Sequence, residues 1–167
     1  MNPDLELVTD GAAWTLVLER TLPHSPSLVW AALTEVGQHI AWAPFIADRD
    51  LTSPGPVGLT DRDVAEPRTV EGRVQVADAP QLLVVDWGDD VLRWELDDDP
   101  SGTRLTLRHR FADRGQAPSY AAGWHLCIDA LDAALSGTPM ESVVGDSAMA
   151  HGWPELNERY TKQLLGA

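Results

Sequence analysis

The chain has 167 residues, 44% of them hydrophobic and 23% charged, which is the composition of a globular protein large enough to bury a core. Its formal net charge of −14 repels phosphate backbones and anionic lipid headgroups, so the sequence argues against nucleic-acid binding and against docking on acidic membranes. One cysteine cannot form an intrachain disulfide, and disulfide-based scaffolds are excluded.

The sequence carries no signal for membrane insertion or secretion. No apolar run is long enough to span a bilayer, and the start Met1-Asn2-Pro3-Asp4 lacks the basic and apolar regions of a signal peptide. We therefore predict a cytoplasmic protein. Residues 1–167 are expected to form one domain, with a core at about 14–137 and an extension at 138–167 that carries a short helix.

The first predicted elements are a strand and a helix. Apolar and polar residues alternate over 14–20 and indicate a strand. Ser25 followed by Pro26 predicts a helix start with a hydroxyl cap and a proline in the first turn. Gly37 predicts the end of this helix.

The next stretch gives weaker signals. Residues 39–45 are compatible with a short apolar turn or with a second helix. Residues 50–68 are rich in proline, glycine and aspartate, and no strand can be assigned to them.

Four β-segments follow between residues 70 and 111, and one pairing register brings their apolar residues to a single face. Asp89-Asp90, directly after Gly88, is interpreted as the turn of a tight hairpin. The predicted pairs on the apolar face are Trp87 with Leu92, Val85 with Trp94, Leu83 with Leu96, Val74 with Leu83, Gly72 with Val85, Val70 with Trp87, Leu96 with Leu105, Trp94 with Leu107 and Leu92 with His109.

The last third of the chain predicts two helices. Pro118-Ser119 is a helix start, and apolar residues then recur at intervals of three and four: Tyr120, Trp124, Ile128, Leu131 and Leu135. Gly137 predicts its end, residues 138–152 a loop, and Trp153-Pro154 the start of a final helix. This order predicts an α+β architecture in which the long helix covers the apolar face of the sheet.

His109 is the one titratable residue predicted on that apolar face. Because imidazoles titrate near neutral pH, His109 could hydrogen-bond a ligand or act as a general acid or base. Alternatively, it is a core histidine whose nitrogens are satisfied by neighbouring groups, which is the more frequent situation for a buried polar side chain. The sequence leaves both roles open.

Aromatic side chains from the sheet and the long helix could line a ligand site, since indole and phenol rings offer stacking and one polar atom each. The alternative for every one of them is ordinary core packing. Trp94 and Trp124 are the strongest candidates because they come from the two facing layers. The complete predicted ligand-binding set is Trp87, Trp94, His109, Tyr120, Trp124 and Ile128.

Metal and cofactor sites are not predicted. The remaining histidines have no metal-ligand spacing among them: His24, His39, His125 and His151. His125 and Asp129 are expected to form an exposed pair on the helix, and Cys127 is expected to be a buried, inert thiol. The sequence has no nucleophile elbow, phosphate-binding glycine loop or dinucleotide fingerprint.

Three segments occur in an order typical of one superfamily: residues 25–34 (SPSLVWAALT) with Trp42 downstream, residues 103–109 (TRLTLRH), and Gly123-Trp124 followed by Leu131, Leu135 and Gly137. In these segments the chain resembles the START-like, or SRPBCC, superfamily, and within it the proteins similar to the C-terminal domain of activator of Hsp90 ATPase. The resemblance implies a helix-grip fold, in which a bent antiparallel sheet wraps around a long C-terminal helix and leaves an apolar cavity. Residues 61–63 are more polar than this family usually shows, and the tail beyond residue 137 extends past its common core.

The resemblance leaves three functions open, because the superfamily includes carriers, cyclases and co-chaperones. The first is binding of a small hydrophobic or aromatic molecule, with His109 or a tryptophan N–H orienting one polar atom. The second is a polyketide cyclase or dehydratase reaction in which His109 moves protons. The third is a co-chaperone-like module that binds a protein partner through its surface; a homodimer also stays open.

Overall fold

The structure is a computed structural model that describes residues 3–62 and 65–166, with the side chain of residue 146 left out. In these ranges the elements in chain order are β1 (Asp4–Thr9), β2 (Trp14–Leu22), α1 (Pro26–Thr34), α2 (Val36–Trp42), β3 (Phe45–Ala47), β4 (Gly55–Asp61), β5 (Thr69–Asp78), β6 (Leu82–Trp87), β7 (Asp90–Asp99), β8 (Gly102–Phe111), α3 (Ala117–Leu135) and α4 (Trp153–Leu165). Short 3₁₀ segments cover Arg114–Gln116 and Gly145–His151.

The eight strands of the described chain form one antiparallel sheet in the order β1-β2-β8-β7-β6-β5-β4-β3. The α1–α2 pair connects β2, near one edge, with β3 at the other edge. The predicted α+β helix-grip architecture is confirmed, with α3 as the long helix and α4 as the extra terminal one. The core is formed by the apolar face of the sheet and by α3, and its fully buried members include Leu16, Leu92, Leu107, Ile128 and Leu131.

The loop of the hairpin between β6 and β7 lies one residue earlier in the chain than predicted. Trp87 pairs directly with Asp90, so the two-residue loop is Gly88-Asp89 and Asp90 is the first residue of β7. Gly88 has φ of 60°, which suits a glycine at the first position of a type II′ hairpin loop. The predicted Asp89-Asp90 turn is therefore wrong because the glycine belongs to the loop and not to the strand before it.

The registers of the β5–β6 and β6–β7 pairs differ from the prediction, but the residues predicted on the apolar face do lie on that face. In the structure β6 and β7 pair two residues away from the prediction, β5 and β6 do the same up to Val74, and β5 then carries a bulge between Val74 and Val76. Because side chains alternate with a period of two, a shift of two residues leaves the same set on the apolar face. The β7–β8 register is confirmed. The observed pairs are Leu83 with Trp94, Val85 with Leu92, Val74 with Val85, Gly72 with Trp87, Leu96 with Leu105, Trp94 with Leu107 and Leu92 with His109.

The region between the first two helices also departs from expectation. The first helix begins at Pro26 as predicted, although Ser25 makes no side-chain cap hydrogen bond. It ends at Thr34 because Glu35 is extended, with φ of −81° and ψ of 120°, whereas Gly37 lies inside α2. The prediction that Gly37 ends the helix is therefore wrong.

Three strands are additional to the prediction: β1, β3 and β4. The strand β4 lies in the segment 50–68. Every second residue of it from Val57 is buried, but the prolines and glycines of the segment obscured this alternation in the sequence. Residue 63 of the polar stretch 61–63 lies outside the described residues. Within the described ranges, no helix has both the length and the apolar character needed to cross a membrane. The predicted cytoplasmic localisation stays a prediction.

Candidate functional site

A cavity of about 420 Å³ lies between α3 and the segment that follows it. The outer wall is formed by the lining residues within the segment 143–153, and Pro44 and Trp87 close the side nearest the sheet. The cavity is partly open to solvent. Its lining residues are Pro44, Trp87, Gln116, Ser119, Tyr120, Gly123, Trp124, Cys127, Val143, Val144, Gly145, Ala148, Met149 and Trp153.

The inner wall is one face of α3. Its lining residues follow helical spacing, from Gln116 just before the helix to Cys127 in its second half. Ser119 and Gly123 keep this face shallow, and a Cβ atom placed on Gly123 would meet no atom within 4 Å. The space is therefore a consequence of two small residues in the sequence of α3, flanked by the larger Tyr120 and Trp124.

The outer wall belongs to the C-terminal extension, which α4 holds against α3. Tyr160 of α4 is 2% exposed, and its hydroxyl lies 2.6 Å from Nδ1 of His125 on α3. Gly152 links the 3₁₀ segment to α4 with φ of 86°, a conformation that favours glycine. This turn carries the chain from Met149 to Trp153, both of which line the cavity.

The cavity surface is mostly apolar. None of the described side chains that line it carries a formal charge. The indole N–H groups of Trp87 and Trp124 are directed elsewhere: Trp87 donates to Oδ1 of buried Asp61 at 3.0 Å, and Trp124 donates to Nδ1 of His109 at 3.0 Å. The two indoles meet at a centroid distance of 6.1 Å with planes at 67°, so they form a corner of the wall.

His109 lies behind this wall, fully buried, and is not among the residues that line the cavity. Its Nδ1 accepts the indole N–H of Trp124, and its Nε2 lies 2.8 Å from Oδ2 of Asp90. Because an indole N–H can only donate, Nδ1 carries no proton, and the neutral ring donates from Nε2 to Asp90. The ring of Tyr120 packs on the imidazole at a centroid distance of 4.4 Å.

The six predicted ligand-binding residues divide into two groups. Trp87, Tyr120 and Trp124 line the cavity, whereas Trp94, His109 and Ile128 lie behind it in the core. The ring of Trp94 is 5.4 Å from that of Trp124, and His109 is 6.0 Å from Trp124, so aromatic rings fill the space between sheet and helix at this point. The contribution of each of the six to ligand binding stays a prediction.

A second polar cluster, made of Arg20, His125, Asp129, Asp132 and Tyr160, joins α3 to β2 and α4. Arg20 pairs with Asp129 and lies 3.5 Å from Asp132, while Nε2 of His125 is 3.4 Å from Asp129. Burial opposes the charge of Asp129, but hydrogen bonds and charges from His125 and Arg20 together outweigh it and hold the pKa of Asp129 below its usual value. The predicted pairing of His125 with Asp129 is confirmed, but its predicted exposure is wrong, because His125 is buried and contacts Tyr160 of α4.

His39 forms another buried polar site, in the core beside α2. Its Nε2 lies 3.0 Å from the carbonyl of Leu33, and its Nδ1 accepts the N–H of Ala47 at 3.4 Å. Burial disfavours the imidazolium and lowers the pKa of His39. In residues 3–62 and 65–166 no three His, Cys, Asp or Glu side chains are grouped so that they could hold a metal ion.

Sequence reasoning missed several members of the site. Gln116, Ser119 and Gly123 lie on a helix face beside the apolar stripe, and their small or polar side chains gave no hydrophobic signal. Their spacing relative to Tyr120 and Trp124 was the available clue. Except for Trp153, the outer wall falls in the segment 138–152 that was predicted as a loop, where no periodic pattern marks a contact with α3.

Comparisons with known proteins identify the family and the fold, and they do not test the cavity. The sequence model of the family described as "Activator of Hsp90 ATPase homolog 1-like protein" matches residues 23–136. Among curated proteins no significant match is found. The wall formed by 143–153 therefore lies beyond the matched segment.

Solved structures share the fold. CalU16 from Micromonospora echinospora superposes with a TM-score of 0.71 at 16% identity, covering 98% of this chain and 97% of its own. A conserved protein of unknown function from Enterococcus faecalis gives a TM-score of 0.72 at 15% identity, covering 98% and 91%. A protein from Rhodobacter sphaeroides gives 0.62 at 20% identity, covering 80% of this chain and 99% of its own. Together with the sequence match over residues 23–136, the fold shows that the chain belongs to the family of activator of Hsp90 ATPase homolog 1-like proteins.

Proposed function

We propose that the protein binds a small, uncharged, apolar or aromatic molecule in the cavity between α3 and residues 143–153. The observation that carries this proposal is the cavity itself, whose volume of about 420 Å³ lies within the range usual for small-molecule sites. The family and fold support a ligand-binding or cyclase-type domain in general.

The lining favours an uncharged ligand. Removing an ion from water is costly unless a partner of opposite charge receives it, and the described lining side chains offer none. Trp87, Tyr120, Trp124 and Trp153 supply aromatic surface, while Gln116 and Ser119 offer polar atoms near one end of α3. A flat molecule with one polar substituent matches this distribution of groups.

An enzymatic role has less support. The cyclase hypothesis needs a group that exchanges protons with the ligand, and His109 was its candidate. Both ring nitrogens of His109 are engaged, one by Trp124 and the other by Asp90, and the side chain is fully buried. We therefore propose binding and no reaction, and the protein-partner alternative stays a prediction.

The test is an equilibrium titration with N-phenyl-1-naphthylamine, an uncharged aromatic probe whose emission rises in apolar surroundings. Tryptophan quenching and probe emission are followed together. Two variants form a matched pair: Gly123→Leu places a side chain in the cavity, and Gly37→Leu places one on the exposed surface of α2. At both glycines a Cβ atom meets nothing within 4 Å, so neither substitution disturbs packing at its first carbon.

We expect saturable binding by the unmodified protein and by Gly37→Leu. Gly123→Leu should weaken it at least about tenfold, because the new side chain occupies the volume that the probe needs. Equal affinity in both variants would show that the probe binds elsewhere, and absence of binding by the unmodified protein would refute the proposal.

A further inference from the structure

The two tryptophans that form the inner corner of the cavity are each held by a buried acceptor through their only polar atom. Trp87 donates directly to Asp61, which is 7% exposed. Trp124 donates to His109, and His109 in turn donates to Asp90. The hydrogen bonding of each indole therefore leads to a carboxylate: directly for Trp87, and through the imidazole of His109 for Trp124.

These anchors come from distant parts of the chain. Asp61 ends β4, Asp90 begins β7 and His109 is near the end of β8, whereas Trp124 lies on α3. The hairpin loop at Gly88-Asp89 sets Asp90 opposite Trp87, the last residue of β6. Because Asp90 is the first residue of its strand, its side chain can reach inwards to His109 while remaining 23% exposed.

We infer that Asp61, Asp90 and His109 are positioning residues of the cavity. They hold the indoles of Trp87 and Trp124 so that ring surface, and not an N–H group, meets the ligand. The inference rests on the proposed function and narrows it to planar aromatic molecules recognised by stacking. Gln116 and Ser119, which also line the cavity, offer polar side-chain atoms to such a ligand.

The physical reason is preorganisation. An indole held by a hydrogen bond has already lost its rotational freedom before the ligand arrives, so binding does not incur that cost again. Hydrogen bonds that involve a carboxylate are stronger than neutral ones, which makes such an anchor firm in a buried site. The two rings also contact each other, so loosening one removes support from the other.

The experiment compares anchor-removing with anchor-keeping substitutions. His109→Leu removes the acceptor of Trp124, whereas His109→Gln keeps an amide oxygen to accept and an amide N–H to donate. Asp61→Leu and Asp61→Asn form the same pair for Trp87. Thr34→Val serves as the control, because it removes the buried bond from Thr34 to the carbonyl of Trp30, away from the cavity.

Two readouts are measured on each variant. The first is the ¹H–¹⁵N spectrum of the indole N–H groups without any ligand, including their exchange with deuterium. The second is the affinity for N-phenyl-1-naphthylamine. We expect His109→Leu to move the Trp124 indole signal and speed its exchange, and to weaken probe binding about three- to tenfold. His109→Gln should largely restore the indole exchange and the probe affinity. Asp61→Leu should likewise loosen the indole of Trp87 and weaken binding, and Asp61→Asn should largely restore both properties.

The outcomes separate the two claims. If Leu and Gln variants show the same indole exchange as the unmodified protein, the anchoring is absent and the inference is wrong. If removing the anchors loosens the indoles but the probe still binds with unchanged affinity, these residues stabilise the core and do not position a ligand surface. If the probe binds to no form of the protein, the proposed function fails, and the indole exchange still decides whether the anchors exist. If a His109 variant does not fold, Asp90→Asn and Asp90→Ala are used in its place, because Asp90 is the more exposed end of the hydrogen-bond chain from Trp124 through His109.

Discussion

The hydroxyl of Tyr160 lies 2.6 Å from Nδ1 of His125, and this contact joins the terminal helix to the long one. Tyr160 is nearly fully buried, so the bond forms where water cannot replace it. The outer wall of the cavity is connected to α4 through Gly152, and its position depends on the packing of that helix. The extension therefore forms one wall of the cavity, although it lies outside residues 23–136 that match the family.

Replacing Tyr160 by Phe tests this connection. We expect Tyr160→Phe to lower the free energy of unfolding by about 1 to 2 kcal/mol, because it leaves Nδ1 of His125 without its buried partner. Probe affinity should fall as well, since the wall at 143–153 is held less firmly. The measurement is urea denaturation combined with the probe titration. An unchanged affinity at reduced stability would mean that the wall is fixed by its own contacts.

The glycines of α3 and α2 should limit stability. Gly123→Ala is expected to raise the free energy of unfolding by about 0.5 to 1 kcal/mol, because glycine loses more backbone entropy than alanine in a helix. Gly37→Ala should raise it by less, because Gly37 lies in the first turn of α2, although its Cβ also meets nothing within 4 Å. Thermal and urea unfolding of both variants provide the measurement. A destabilised Gly123→Ala would show that α3 is packed more tightly at this position than the structure has it.

His39 should make stability depend on mildly acidic pH. Its pKa in the folded protein lies below 6.5, the value in the unfolded chain. At a pH between the folded and the unfolded pKa, the unfolded chain therefore binds more protons than the folded one. Stability is therefore full above about pH 6.5 and falls as the pH drops through that window. His39→Gln, which does not titrate, should show a shallower fall from pH 7 to pH 5, measured by urea unfolding at each pH. The non-titrating control Thr34→Val should keep the slope of the unmodified protein; an equal slope in His39→Gln would contradict this account.

Asp129 should contribute to stability through its contacts with Arg20 and His125. Asp129→Asn is expected to cost about 2 kcal/mol at pH 7, because the buried Arg20 loses one of its two carboxylate partners and keeps only the more distant Asp132. The pKa of Asp129 is lowered from 3.8, so the carboxylate stabilises the fold above that pH and the benefit is lost as the pH falls through the folded value. The difference between the two proteins should then shrink as the pH falls below about 3.8. A constant difference down to pH 3 would exclude the charge as its source.

Ile128 separates core packing from ligand contact. It is fully buried and does not line the cavity, although it was among the predicted ligand-binding residues. Ile128→Val should reduce stability by about 0.5 to 1.5 kcal/mol, the usual cost of one buried methyl group. Probe affinity should stay unchanged, and a marked loss would show that the ligand reaches deeper than the cavity described here.

Much of the fold could be predicted because alternation with period two and helical spacing are strong signals. The apolar face carrying Trp94, Leu107 and His109 was assigned correctly even where the register was shifted by two residues. The hairpin loop could not be fixed, because Gly88 was compatible with either the strand or the turn. The bulge after Val74 leaves no mark in the sequence, since an extra residue alters pairing without altering composition.

The site was harder to predict than the fold. Sequence spacing places Tyr120 and Trp124 on one face of a helix, but it cannot tell whether a ring ends at a cavity or against another ring. Trp94 and Trp124 were both predicted to face a ligand because they come from the two facing layers, but of these two only Trp124 lines the cavity. Asp61 and Asp90 looked like loop residues, because their partners Trp87 and His109 are distant in the chain.

The central claim is that a small aromatic molecule binds between α3 and residues 143–153. The chain has seven tryptophans, so the ¹H–¹⁵N spectrum reports on seven indoles at once during a titration with N-phenyl-1-naphthylamine. We expect progressive, saturable changes in the ring and indole signals of Trp87, Trp124 and Trp153, with Trp14 and Trp30 unchanged. Changes confined to Trp14 or Trp30, or no saturable change at all, would contradict the claim.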